Sequence, residues 1–176
     1  MSKALIVIDM QNDFITGSLA NKDAEKLVRP IAEYVKNFDG DVYATRDTHF
    51  KSNYLKSQEG KKLPIEHCIE TTWGWNIAKE IGDAIMKKEY FRIVNKPRFG
   101  SLALGDLFAT YKYDEVEICG VCTDICVISN AMILKASAIE DTEITVLKNL
   151  CAGTTPENHE NAIKAMELCQ INIKEV

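Results

Sequence analysis

Cys126 closes the segment Gly120-Val121-Cys122-Thr123-Asp124-Ile125-Cys126, where an apolar strand-like run gives way to an apolar helical one. A thiol attacks a carbonyl carbon as its thiolate, and the positive end of a helix dipole lowers a thiol's pKa toward that form. A free cysteine is equally often a small buried residue, so position by itself leaves both readings open. Asp9 and Lys96 also stand at the ends of strand-like runs. An ammonium lowers a neighbouring thiol's pKa, and a carboxylate can accept and return its proton, so together the three could serve nucleophilic acyl chemistry. Taken singly, Asp9 could be a loop-turning residue and Lys96 a solvated charge.

A second group lies in the irregular stretch from Arg46 to about Trp75, which holds Asp47-Thr48-His49, then Glu59, then His67 beside Cys68. Long loops inside a compact domain usually carry function. On extended backbone, residues two apart share a face, so Asp47 and His49 could ligate one ion, with His67 as a third donor. Mixed oxygen and nitrogen donors suit Zn²⁺, Mn²⁺ or Fe²⁺ better than Ca²⁺ or Mg²⁺. Ordinary loop hydrogen bonding by Asp47 and His49 is the competing reading.

The elements that must position these residues alternate. Ala4–Ile8 is a continuous apolar run, the mark of a strand buried on both faces. Further strands are expected over 41–45, 90–94, 116–119, 144–147 and 171–173, with helical periodicity over 23–38, 76–87 and 102–111 and in the segment after Cys126. That last helix is apolar nearly all round, which predicts full burial. Pro30 either marks a helix start or kinks the helix. Thr155-Pro156 reads as an N-cap followed by a first-turn proline, opening a final helix through Ala162, Ala165 and Met166. Strands alternating with helices predict a three-layer α/β/α domain spanning residues 1–176, built on a six-stranded parallel sheet. The carboxyl ends of such strands open at one edge, which would bring Asp9, Lys96 and Cys126 together.

The 176 residues are 46% hydrophobic and 27% charged, as in ordinary globular proteins. A net charge of −5 argues against nucleic acid or an acidic membrane as partner. No apolar run approaches membrane-spanning length. Met1-Ser2-Lys3 leads directly into a strand-like run and not a signal peptide, and six irregularly spaced cysteines fit reduced thiols, so a cytoplasmic location is expected. No glycine-rich phosphate fingerprint follows the first strand.

Three segments in order, Val7-Ile8-Asp9-Met10-Gln11-Asn12-Asp13-Phe14, Lys96-Pro97-Arg98-Phe99-Gly100-Ser101 and Gly120-Val121-Cys122-Thr123-Asp124-Ile125-Cys126-Val127, resemble the motifs of the isochorismatase-like cysteine hydrolases, the superfamily that includes nicotinamidases. The resemblance spans almost the whole chain. It implies that Cys126 is the nucleophile, Asp9 its general base and then acid, and Lys96 the cation that polarises the pair. It implies a non-proline cis peptide at Val121-Cys122, with the N–H groups of Cys122 and Cys126 forming an oxyanion hole. Cys122 stands where many relatives have alanine, so it lends its backbone and is not a second nucleophile. Phe14 matches the family's pocket aromatic. Asp47, His49 and His67 match the metal ligands of the nicotinamide-processing members, whose metal binds the pyridine nitrogen. A further histidine common after the pair is replaced here by Lys51-Ser52-Asn53-Tyr54, leaving Glu59 as the fourth candidate ligand and zinc as the expected metal. A tryptophan found before the last metal histidine in some relatives is also absent. Relatives are commonly oligomers, which implies a homo-oligomer.

The expected activity is hydrolysis of a small carboxamide, nicotinamide to nicotinate and ammonia, through a thioester. N-carbamoyl and ureido-type amidases keep the same catalytic three. An isochorismatase would need neither thiol nor metal. A non-catalytic thiol-redox or zinc-binding domain is the alternative from another class, since Cys122 and Cys126 lie four apart, but the C-x-x-C spacing is missing.

Overall fold

The computed structural model describes residues 2–139 and 142–176. Among them six strands, β1 (Lys3–Ile8), β2 (Asp41–Asp47), β3 (Phe91–Lys96), β4 (Glu115–Val121), β5 (Glu143–Ala152) and β6 (Asn172–Lys174), form one sheet in the order β3-β2-β1-β4-β5-β6. Every pairing is parallel. The helices are α1 (Asn12–Ile15), α2 (Lys22–Asn37), α3 (Gln58–Lys62), α4 (Lys79–Ile85), α5 (Leu102–Thr110), α6 (Ile128–Ser137) and α7 (Pro156–Leu168). α2 packs on α1 and α4, α6 packs on α5 and α7, and the sheet lies between these two groups. This is the expected three-layer α/β/α fold.

Sequence chemistry accounts for the frame. Ala4 through Ile8 are buried on both faces of the central strand β1. Asn21 caps α2 by accepting from the N–H groups of Asp23 and Ala24, while Thr155 caps α7 by accepting from Asn158 N–H. Strand order reverses at β1, whose neighbours are β2 and β4, and open α/β sheets bind ligands in the crevice at such a point. Gly120 keeps β1 and β4 close there: it has φ 118°, and a Cβ would fall on the carbonyl oxygen of Ile8.

Two expectations change, and one open choice closes. Pro30 lies inside α2 and not near its start. β2 runs on to Asp47, placing the first candidate metal ligand on a strand end instead of in the loop. The helix after Cys126 is not buried all round: Asn130, Ala131 and Leu134 are buried, whereas Ile128, Met132 and Ile133 are half-buried. Its polar Asn130 is inside because it carries hydrogen bonds that apolar periodicity does not register. No described helix is long and apolar enough to cross a membrane.

Candidate active site and metal centre

β1, β3 and the turn after β4 deliver Asp9, Lys96 and Cys126 to the carboxyl edge of the sheet, and all three are buried. Asp9 adopts a left-handed backbone conformation, φ 49°, directly after β1. Its Oδ2 lies 2.6 Å from Lys96 Nζ, and its Oδ1 accepts a hydrogen bond from the Thr45 hydroxyl at 2.6 Å. The lysine contact is a fully buried ion pair. Lys96 Nζ also lies 3.4 Å from Cys126 Sγ and 3.7 Å from Asp47 Oδ1. One ammonium therefore joins the carboxylate, the thiol and the neighbouring cluster.

Electrostatics sharpens the picture. Burial would pull the Lys96 pKa down, but Asp9, Cys126 and Asp47 raise it, so the ammonium is retained. Burial raises Asp9 above the ordinary carboxylate value, with Lys96 opposing, which makes it a stronger base than an exposed aspartate. The expected depression of the Cys126 pKa does not appear. Burial, joined by the Asp9 charge, pushes the thiol well above its ordinary value despite the nearby lysine. The resting group is a thiol beside a base. The cause is depth, because desolvation penalises the thiolate more than one ammonium and one helix end favour it.

Cys126 sits in a π-helical turn, Thr123–Val127, that precedes α6. The Val121–Cys122 peptide bond is cis. Cys122, Cys126, Phe14 and Ile125 face a cavity of about 490 Å³. Asp47, Glu59 and His67 line the same cavity.

The metal candidates converge. Ligand atoms of Asp47, His49, Glu59 and His67 all lie within 4.8 Å of one another. Asp47 Oδ2 is 2.9 Å from His49 Nε2 and 3.5 Å from His67 Nε2, and Glu59 Oε1 is 3.6 and 3.5 Å from the same two nitrogens. A tetrahedral shell with ligand atoms ~2.1 Å from an ion has edges of about 3.4 Å, close to these separations. His67 Nδ1 lies 2.9 Å from the carbonyl of Ile65, which orients the ring and turns Nε2 to the cluster. The ring of Tyr54 packs edge-on against both imidazoles. Burial would raise the Asp47 pKa, but His49, His67 and Lys96 hold its carboxyl well below the usual range, as a ligand requires. The donor set fits a divalent metal of zinc's type.

Matching the chain against family models assigns residues 3–174 to the isochorismatase domain. The chain belongs to the isochorismatase family. Within that family it is 30% identical to the nicotinamidase of Saccharomyces cerevisiae, over 81% of this chain and 82% of that protein. It resembles the pyrazinamidase of Pyrococcus horikoshii solved in complex with zinc, at a TM-score of 0.83 and 27% identity over the whole of both chains. It also resembles the nicotinamidase of Bacillus subtilis, at a TM-score of 0.85 and 24% identity over 99% and 100% of the two chains.

Three supporting residues of this isochorismatase-family site escape sequence reasoning. Thr45 holds Asp9 from the next strand. Gln11, fully buried, donates to the carbonyls of Asp47 and Trp75 and accepts from Asp47 N–H at 2.7 Å, tying the loop after β1 to the end of β2. Asn130 donates to the carbonyls of Cys126 and Phe99 and accepts from Ser101 N–H, tying the Cys126 turn to the loop after Lys96. A polar residue in an apolar helix and one in a post-strand motif were the available signals. Asn130→Leu is expected to cost roughly 2–4 kcal/mol by stranding those backbone groups, read from the urea unfolding midpoint.

Proposed function

We propose that this isochorismatase-family amidohydrolase converts a small aromatic carboxamide, nicotinamide foremost, to the carboxylate and ammonia through a thioester on Cys126. The observation that carries this reading is one cavity lined both by Cys126, which Lys96 and Asp9 back from behind, and by Asp47, Glu59 and His67 of the cluster that His49 completes. A thiol and base alone would serve several family reactions. The adjoining cluster supports a substrate with a second polar atom to be held.

In this reading the Cys126 thiol gives its proton to Asp9 as sulfur bonds to the amide carbon. Lys96 keeps the resulting thiolate character and the carboxylate aligned at their shared contact. The backbone N–H groups of Cys122 and Cys126 receive the negative oxygen of the tetrahedral intermediate. As the carbon–nitrogen bond breaks, Asp9 returns the proton to the leaving ammonia. Asp9 then takes a proton from water, which attacks the thioester and frees the acid and Cys126. Phe14, whose ring lies 5.7 Å from that of His67, supplies an apolar wall for an aromatic ring. A divalent metal, with zinc favoured by the Pyrococcus relative, would be held by Asp47, His49, Glu59 and His67 and would supply a Lewis-acid anchor for the pyridine nitrogen. N-carbamoyl substrates would leave that cluster without a part to play.

Ammonia release from nicotinamide by the purified, metal-replete protein tests the proposal; absence of turnover would overturn it. Metal loading should depend on pH with a definite sign. Burial alone would lower the His67 pKa, but the Asp47 and Glu59 carboxylates push it up to about 10, so the metal-free ring is protonated at neutral pH. A metal must displace that proton. Apparent zinc affinity is therefore expected to rise about tenfold per pH unit between about pH 6 and 8, measured by competition with a chromophoric chelator. His67→Gln should weaken binding and flatten that slope.

A further inference from the structure

Thr123 and Asp124 belong to the segment that carries Cys126, yet neither lines the cavity. Both reach the opposite way, to the joint between β5 and α7. Thr123 is fully buried, with its Oγ1 2.8 Å from Nδ1 of His159 on α7. Asp124 accepts hydrogen bonds from Thr154 N–H at 2.8 Å and from the Thr154 hydroxyl at 2.5 Å, and Asn158 Nδ2 donates to that hydroxyl at 2.9 Å. Gly153 permits the approach: a Cβ there would lie 2.9 Å from His159 Cβ and 3.0 Å from Asp124 Oδ1. The turn is clasped from behind by two side chains that flank its start.

The clasp matters because the turn does not define its own shape well. The N–H groups of Ile125 and Val127 both point to the carbonyl of Cys122, at 3.0 and 3.1 Å. A π-helical turn is rare and short, so outside contacts must hold it against relaxing to ordinary helix. Such a relaxation would rotate Cys126 relative to Lys96 and Asp9, and displacements on the order of 1 Å are enough to slow a positioned reaction. Burial, the largest influence on His159, lowers its pKa and favours a neutral ring that shares one proton with the Thr123 hydroxyl. On the other side of that ring, Nε2 is 4.0 Å from the Glu160 carboxylate, too far for a hydrogen bond.

We propose that His159 is a positioning residue for Cys126, acting through its Nδ1 contact with Thr123 to hold the π-helical turn in the register that aims the thiol at Lys96 and Asp9. This rests on Cys126 being the nucleophile. It assigns His159, which lies outside the cavity, a part in the reactivity of a residue on another element.

The test compares Thr123→Val, His159→Gln, His159→Asn and the double variant Thr123→Val/His159→Gln. An asparagine amide can place a polar atom near the position of Nδ1, whereas a glutamine amide reaches toward that of Nε2. Two rates are measured: alkylation of Cys126 by iodoacetamide, followed by peptide mass mapping, and hydrolysis of nicotinamide. Thr123→Val and His159→Gln are each expected to slow alkylation about tenfold, the scale of one lost hydrogen bond. The kcat for nicotinamide should fall in parallel, with KM and zinc content unchanged. His159→Asn should recover most of the rate, and the double variant should be no slower than either single one. Alkylation at the parental rate in Thr123→Val and His159→Gln would overturn the proposal, as would equal behaviour of the glutamine and asparagine variants or effects that multiply in the double variant. If one histidine variant fails to fold, the near-isosteric Thr123→Val decides by the same alkylation rate. Iodoacetamide needs no substrate recognition. A parent protein that leaves nicotinamide intact would therefore count against the proposed reaction, while the alkylation series still judges His159.

Discussion

Replacing Cys126 by alanine is expected to lower nicotinamide hydrolysis by at least about 10³-fold, with fold and metal binding intact. The size follows from what is removed. Without sulfur no thioester forms, and the remaining groups can only assist direct attack by water, which must approach a cavity shaped for a bound nucleophile. The backbone N–H groups persist, so some stabilisation of the oxyanion should survive as residual rate. Cys126→Ser is the more searching variant. Its hydroxyl occupies nearly the same volume, but it is far less acidic than a thiol, and the site already disfavours an anion at this depth. Serine should therefore behave like alanine and not like cysteine. Ammonia release gives the rate, and elemental analysis of zinc in the same samples separates lost chemistry from lost structure. A serine variant within tenfold of the parent would remove the thioester from the mechanism.

Lys96→Met should affect both stability and activity. Lys96 is fully buried, 2.6 Å from Asp9 and 3.7 Å from Asp47, so methionine keeps the volume and leaves the buried Asp9 carboxylate without its cation, while Asp47 keeps its histidine partners. Removing one partner from a buried ion pair typically costs about 3–5 kcal/mol. The pH dependence has a sign that distinguishes this cause from poor packing. Burial already raises Asp9 in the intact site, and losing the lysine removes the main influence that opposes the rise. An acid whose folded-state pKa exceeds its unfolded value stabilises the protein when protonated and loses that contribution as pH rises through the folded value. The stability deficit of Lys96→Met should therefore narrow on acidification and widen toward neutrality, as read from urea denaturation of variant and parent side by side. A deficit independent of pH would point to packing instead. Turnover should fall by at least about 10²-fold, since the thiol loses the cation 3.4 Å from its sulfur.

The sheet was legible in the residues because burial on both faces leaves the unbroken apolar run Ala4–Ile8 at its centre, and five further short strand-like segments alternating with helical periodicity admit few arrangements. The site was legible for a related reason. Asp9 and Lys96 end strands, Cys126 opens the turn after one, and parallel strands end at a common edge. Local periodicity could not show what depends on distant neighbours. Asp47 ends a strand because β3 pairs with it through Lys96, and that register is a long-range fact. Asn130 is buried in an apolar helix because the carbonyls of Cys126 and Phe99 need its amide.

The sequence by itself determined which chemistry was available: a thiol, a carboxylate and an ammonium at strand ends, and two histidines with two carboxylates as metal donors. Residue types and the approximate positions of apolar runs are local properties, so they can be read without coordinates. Only the tertiary structure decided the state of those groups. It brought Glu59 to within 3.6 Å of both histidine nitrogens, across a loop whose path no periodicity reports. It also reversed the expected ionisation of Cys126, because the pKa of a thiol depends on its depth and on every charge around it, and both are set by the folded chain as a whole.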